Sequence, residues 1–179
     1  MKLFWARGYM ATSLNDLLDD MNIARSSFYA SFGDKRSLFI ECLELFGDRT
    51  RAMLDSPELA AEPERAAAVF FEKSLFEVPR HRAALGCMMV NTVLELAVVD
   101  QEISRLAERK LTAVEQRFSQ LFASAMAQQR LHSEQTHADL ARYVMNVNQG
   151  LRVESRKTTP RSELKSIVNT SLLLAGLAA

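Results

Sequence analysis

LNDLLDDMNIARSSFYASFGDKRSL, from Leu14 to Leu38, reads as two short helices that meet at a tight turn and run at once into a longer helix. Leu14, Leu17, Leu18 and Met21 recur at three- and four-residue steps, which puts them on one helical face. Thr12 and Ser13 stand before that run as candidate N-caps, and Asp16, three residues after Ser13, lies near the helix's positive end. Asn22 tolerates the left-handed conformation that a sharp turn needs, and Ile23 supplies an apolar plug between the two helices. A turn of about three residues is the length of a helix-turn-helix connection.

The second helix, near Ala24 to Ser31, divides its faces. Ala24 and Phe28 are expected to pack inward, which leaves Arg25, Ser26, Ser27 and Tyr29 pointing away. An arginine can hydrogen-bond a guanine edge in two places, small hydroxyls serve bases or phosphates, and a tyrosine hydroxyl can bond a phosphate. The same Ser-Ser pair is equally readable as capping chemistry and Tyr29 as an amphipathic rim residue. Gly33 can end this helix and Asp34 can cap the next. Lys35 and Arg36 then fall in a first helical turn, where cations meet the positive end of the dipole at a cost of a few tenths to about 1 kcal/mol. Either a phosphate bound at that helix start by Lys35 and free backbone N–H groups explains the placement, or the two side chains splay into water.

The run FWARGYMATSLNDLLDDMNIARSSFYASFGDKRSLF, from Phe4 to Phe39, resembles the DNA-binding domain of the TetR/AcrR family of transcriptional regulators. The resemblance rests on Gly8-Tyr9 with Thr12-Ser13, the helix-turn-helix, an aromatic pair near its end, and Lys35 ahead of Leu38-Phe39. It implies an all-α fold, with a DNA-binding domain over residues 1–46 and a ligand-binding and dimerisation domain over residues 47–179. It also implies DNA-binding roles for Thr12, Ser13, Arg25, Ser26, Ser27, Tyr29 and Lys35. Thr12 would cap near a phosphate, Arg25, Ser26 and Ser27 would face the major groove, and Tyr29 and Lys35 would hold the backbone. Similar proteins carry a longer first helix ahead of Phe4, whereas only about two turns precede Gly8 here, so Leu3, Phe4 and Trp5 must be held by packing. The alternative to a DNA-reading regulator is an all-α dimer that binds a ligand or partner and has lost operator binding through that short start.

Lys plus Arg equals Asp plus Glu at 22 each, and 48% of residues are hydrophobic, which is ample for a core. From Met1 to Arg36, Lys2, Arg7, Arg25, Lys35 and Arg36 face Asp16, Asp19, Asp20 and Asp34. Binding to nucleic acid would therefore depend on two copies and well-placed contacts more than on bulk attraction. No signal-peptide pattern is visible, and the apolar run from Ser171 to Ala179 is too short to span a bilayer, so a cytoplasmic protein is expected. Cys42 and Cys87 are read as reduced buried thiols, and His81, His132 and His137 form no metal pattern. No metal, cofactor or catalytic residue is expected, since neither a phosphate loop nor a nucleophile motif appears.

Beyond Asp34 the apolar positions Leu38, Phe39, Cys42, Leu43 and Phe46 continue as a helix to about Asp55. Ser56-Pro57 signals a restart, and a helix is expected from Ala66 to Val78, where Pro79 stops it. GCMMVNTVLELAVV, Gly86 to Val99, is too uniformly apolar for a surface helix and reads as central. Asn91 and Glu95 lie four apart on one face, as a structural hydrogen bond in the core or as polar anchors of a ligand pocket walled by Phe71, Cys87, Met88, Phe118 and Phe122. The longest helix is expected over Asp100 to Gln129. Helices near 137–156 and 162–178 follow; they either close the monomer or, as the resemblance implies, pair with their copies in a homodimer. The whole reads as a homodimeric repressor of a near-palindromic operator, released by a small-molecule effector.

Overall fold

The computed structural model describes residues 1–177 and is all-α, with no strand among them. Its helices are α1 (Lys2–Arg7), α2 (Leu14–Met21), α3 (Arg25–Phe32), α4 (Lys35–Ala52), α5 (Pro57–Ala61), α6 (Ala66–Phe71), α7 (Arg80–Ala83), α8 (Met88–Leu96), α9 (Gln101–Ala127), α10 (His137–Glu154) and α11 (Arg161–Leu174). The expected end of the last helix, Ala178, lies outside the described residues.

Local chemistry explains most boundaries. Ser13 caps α2 in a reciprocal box with Asp16, and Asn22 ends the helix in the left-handed region at φ 51° and ψ 49°. Gly33 closes α3 at φ 74°, and the Asp34 carboxylate accepts from the Ser37 N–H at 2.6 Å to start α4. Ser56 and Pro57 begin α5 as cap and first residue, and Thr136 caps α10 by accepting from the Asp139 N–H at 3.1 Å. The helix expected over Ala66 to Val78 differs: α6 ends at Phe71 and widens into a π-helical turn over Glu72–Phe76. Within that turn the Ser74 carbonyl accepts from the buried Arg152 at 2.9 Å. A long-range partner thus interrupts a segment whose periodicity alone suggested regular helix.

Two compact units emerge. The first contains Met1–Asp48 together with Cys87–Lys110; the second contains Arg49–Gly86 and the chain from Leu111 onward. The first unit thus groups α8 and the start of α9 with the N-terminal helices. In the first unit the short α1 is held by aromatic contacts: Phe4 meets Phe39 edge-on at 4.9 Å and Trp5 meets Phe46 at 5.0 Å between ring centres. Phe28, Leu17, Leu43, Met88, Met89 and Leu96 are also buried there.

The core of the second unit is built on aromatic side chains of α6 and α9. Phe70 packs edge-on against Phe118 at 5.1 Å, and Phe118 stacks on Phe122 at 5.8 Å. Leu140, Val144 and Leu151 of α10 and Leu164 and Val168 of α11 close over them. Among the described residues no helix is long and apolar enough to cross a membrane. Phe118→Ala should cost about 3–5 kcal/mol in urea unfolding, because a fully buried ring leaves a cavity. Leu94→Ala, at a side chain that is 76% exposed, should stay within about 0.5 kcal/mol.

Candidate nucleic-acid interface

The site is built on the turn between α1 and α2. Gly8 sits at φ 85° and ψ 175°, a region essentially closed to residues with a Cβ. That conformation lets two successive N–H groups converge on one anion: Tyr9 donates to Glu95 Oε2 at 3.0 Å and Met10 donates to Glu95 Oε1 at 2.7 Å. A Cβ on residue 8 would lie 2.6 Å from Glu95 Oε2, so a side chain there would push the Glu95 carboxylate off the turn, besides being strained at this φ. The carbonyls of the same turn face a cation, with Lys35 Nζ donating to Tyr9 O at 2.9 Å and to Thr12 O at 2.8 Å. Its ammonium also lies 4.2 Å from the centre of the Tyr9 ring, which packs on Phe39 at 5.0 Å. Burial pushes the Tyr9 phenol above its ordinary value.

These contacts account for the two cations at the start of α4. Lys35 reaches back to the turn, and Arg36 grips Asp100 at 3.0 and 3.3 Å and Glu102 at 2.6 Å. Hydrogen bonding to Arg36 holds the Asp100 carboxyl below the usual range, and Asp100 in turn accepts from the Ile103 N–H at 3.1 Å as the cap of α9. Both dipole conflicts are offset by partners inside the first unit, with no phosphate required.

The turn delivers the chain to α2 and α3. Ser13 Oγ accepts from the Asp16 N–H at 3.1 Å and donates to Asp16 Oδ2, while the Ser13 N–H donates to the same oxygen at 2.8 Å. The Ser13 hydrogen bonds hold the Asp16 carboxyl below its ordinary value, with Arg7 adding at 3.2 Å. On α3 the Phe28 side chain is fully buried, and Arg25, Ser26, Ser27 and Tyr29 are exposed. Arg25 Nη2 donates to Asn15 Oδ1 of α2 at 2.7 Å, which fixes the direction of the guanidinium. The outer face of α3 thus presents one oriented guanidinium, two small hydroxyls and a phenol, groups that can hydrogen-bond base edges and phosphate oxygens.

The structure redistributes the expected residues. Arg25, Ser26, Ser27 and Tyr29 share the exposed face of α3, with Tyr29 48% exposed. Ala24, expected to pack inward, is exposed instead, because it is the cap residue preceding α3. Thr12 is buried with its hydroxyl donated to Gly8 O at 2.6 Å, and Ser13 is occupied by the capping box, so both hold the motif together. Lys35 likewise directs two of its donors at the turn.

The expected ligand pocket is divided between the units: Cys87, Met88, Asn91 and Glu95 lie in the first, Phe71, Phe118 and Phe122 in the second. Cys87 and Met88 are buried in the first unit; Phe118 and Phe122 belong to the packed core of the second, where Phe71 also borders a cleft. Asn91, half-buried, has partners of its own. Glu95 makes structural hydrogen bonds, and their partners are the backbone N–H groups of the Tyr9–Met10 turn. Asn15, Asp100 and Glu102 were not foreseen as partners. The one available sign of Glu95's role was a lone carboxylate in an apolar run.

Lys35→Met should lower stability by about 1–3 kcal/mol in denaturant unfolding, the cost of two buried-side acceptors losing a charged donor. Asp100 has a folded pKa below its unfolded value, about 3.9. Its contribution is complete above that value and vanishes as pH falls through the depressed one. Asp100→Asn should therefore lower stability at pH 7 and flatten the acid-side decline below about pH 4, measured by unfolding across pH.

Residues 1–42 match the model of the bacterial regulatory proteins, tetR family. Over nearly its whole length the chain is similar to YezE of Bacillus subtilis, an uncharacterised HTH-type transcriptional regulator. The two are 28% identical over 174 residues, covering 96% of this chain and 90% of YezE. It is equally similar to ComR of Escherichia coli, an HTH-type transcriptional repressor, at 28% over 178 residues, 97% of this chain and 84% of ComR. Among solved structures, a cysteine mutant of the TetR family transcriptional regulator CifR, complexed with a 26-base-pair operator DNA, has TM-score 0.79 at 26% identity, covering 95% of this chain and 89% of that one. Reduced NemR of Escherichia coli shares the fold at TM-score 0.81 and 16% identity, covering 99% of this chain and 92% of that one. Residues 1–42 thus match the tetR family's DNA-binding domain, and the likenesses along the rest of the length, on an all-α body, support a TetR family transcriptional regulator.

Proposed function

We propose that this regulator is a cytoplasmic homodimeric repressor that reads a near-palindromic operator with α3 and is released by a small-molecule effector. The observation that carries the proposal is the outer face of α3, where Arg25, Ser26, Ser27 and Tyr29 are exposed and Arg25 is directed by Asn15, while Thr12, Ser13 and Lys35 are bonded internally. An arginine oriented by a neutral partner keeps donors free for a guanine edge, and the short serines let the helix approach the groove floor. The structural likeness to CifR, a protein captured on operator DNA, supports the same use here.

A dimer is supported by α10 and α11. Tyr143, Val153, Ile167, Leu173 and Leu174 are exposed apolar side chains on these two helices, and Leu173 and Leu174 are 79% and 78% exposed. Pairing the two helices with their copies would bury this surface around a two-fold axis and give two heads for two half-sites about 34 Å apart. Repression is favoured by the likeness to ComR. For an effector, the second unit offers a cleft of about 460 Å³ between α6, its π-helical extension and α11, lined by Phe71, Phe76, Val168 and Leu172 with Arg65 and Lys165 at hand. An effector that binds one dimer geometry better than another would shift the population away from the DNA-competent form.

Selection from a randomised duplex pool at moderate salt, with the mass of the protein in solution measured alongside, tests the proposal. Enrichment of a near-palindrome by a dimer is expected, and a folded dimer that enriches nothing would contradict it. On the selected operator, Arg25→Ala should cost about 1–3 kcal/mol and relax preference at one position of each half-site, while Tyr29→Phe should weaken all sequences alike. Equal binding by wild type and Arg25→Ala would remove α3 as the reading element.

A further inference from the structure

We infer that Glu95 is a positioning residue for DNA reading, acting from α8 through the Gly8–Met10 turn; the inference rests on the α3 reading proposed above. Glu95 is the sole charged side chain in the run from Gly86 to Val99. Both of its carboxylate oxygens are engaged, each by one backbone N–H of the turn, at 3.0 and 2.7 Å. Charge-assisted bonds of this kind are roughly twice as strong as neutral ones and fix direction as well as distance.

The contacts form an unbroken physical series. Glu95 fixes Tyr9 and Met10, and Lys35 fixes the Tyr9 and Thr12 carbonyls from the other side. Ser13, the next residue, caps α2; α2 carries Asn15; and Asn15 holds Arg25 at 2.7 Å. A displaced turn moves the cap, the cap sets the start of α2, and α2 aims the guanidinium. Glu95 touches no DNA group in this scheme and reads nothing itself.

The chemistry is specific to a carboxylate. Glutamine in the same place offers one carbonyl oxygen to one N–H and turns its amide donor toward the other, while aspartate is one methylene short of the turn. Gly8 permits this approach, since any side chain there would collide with the carboxylate.

The test compares the wild type with Glu95→Gln and Glu95→Asp at a temperature where circular dichroism shows each fully folded; Glu95→Asp serves if Glu95→Gln does not fold. The readout is the ratio of affinity for the selected operator to affinity for an unrelated duplex of equal length. That ratio should fall about tenfold in Glu95→Gln, equivalent to 1.4 kcal/mol, while affinity for the unrelated duplex holds within about twofold. Adding Glu95→Gln to Arg25→Ala should then lower the ratio by clearly less than tenfold, because part of the effect of Glu95 runs through the placement of Arg25. A lowered melting temperature with an unchanged ratio means that Glu95 is only structural and overturns the inference. A wild-type protein with no operator preference would overturn the DNA reading itself, whereas wild-type preference that survives in the folded Glu95 variants would overturn the role of Glu95 alone.

Discussion

A backbone turn held between a carboxylate and an ammonium governs the first unit of this protein. Tyr9 donates its N–H to Glu95 and offers its carbonyl to Lys35, so one residue is fixed from both sides by charges of opposite sign. Gly8 makes the geometry available, and the Phe4, Tyr9 and Phe39 rings fill the space beneath. The turn joins α1, held by aromatic packing, to the helix-turn-helix. Everything that α3 presents outward depends on where this turn leaves the chain.

The magnitudes divide the work between packing and charge. Half-exposed ion pairs contribute about 0.2–1 kcal/mol each, so the pair of Arg36 with Asp100 and Glu102 adds modestly to stability. Buried rings such as Phe28 and Phe39 contribute roughly 1.5–3 kcal/mol each and hold the unit together. What the charged contacts add is direction, because each fixes a donor toward a particular acceptor. The chain carries no net formal charge, and Arg7, Lys35 and Arg36 all find partners inside the first unit. Little positive charge is left for bulk attraction to a polyanion. Recognition under the proposed function would then rest on Arg25 and its hydroxyl neighbours acting twice across a dimer.

Local signals were legible in the sequence. Ser13 with Asp16, Asn22, Gly33 and Ser56-Pro57 mark boundaries by chemistry within a few residues of themselves, and each sits where that chemistry requires. The outward face of α3 was also readable, since burying Phe28 leaves its neighbours exposed. The partners of Lys35 and Glu95 were not, because Lys35 bonds residues 23 and 26 positions away and Glu95 bonds residues 85 and 86 positions away. The conflict of Lys35 with the helix dipole was visible, but a phosphate and a carbonyl oxygen are indistinguishable as acceptors from sequence. Phe118 and Phe122 look alike as pocket wall or core, and only their complete burial against Phe70 and α10 decides for core. The π-helical turn at Glu72–Phe76 carries no periodic signature, and a buried arginine from α10 meets it from 78 residues away.

The most direct measurement is amide hydrogen exchange, resolved to single residues by NMR, on the protein alone and bound to its selected duplex. This arrangement predicts slow exchange at Tyr9 and Met10 in both states, with new protection on binding concentrated from Arg25 to Ser31. Free exchange at Tyr9 and Met10, or protection that appears elsewhere and leaves α3 unchanged, would contradict it.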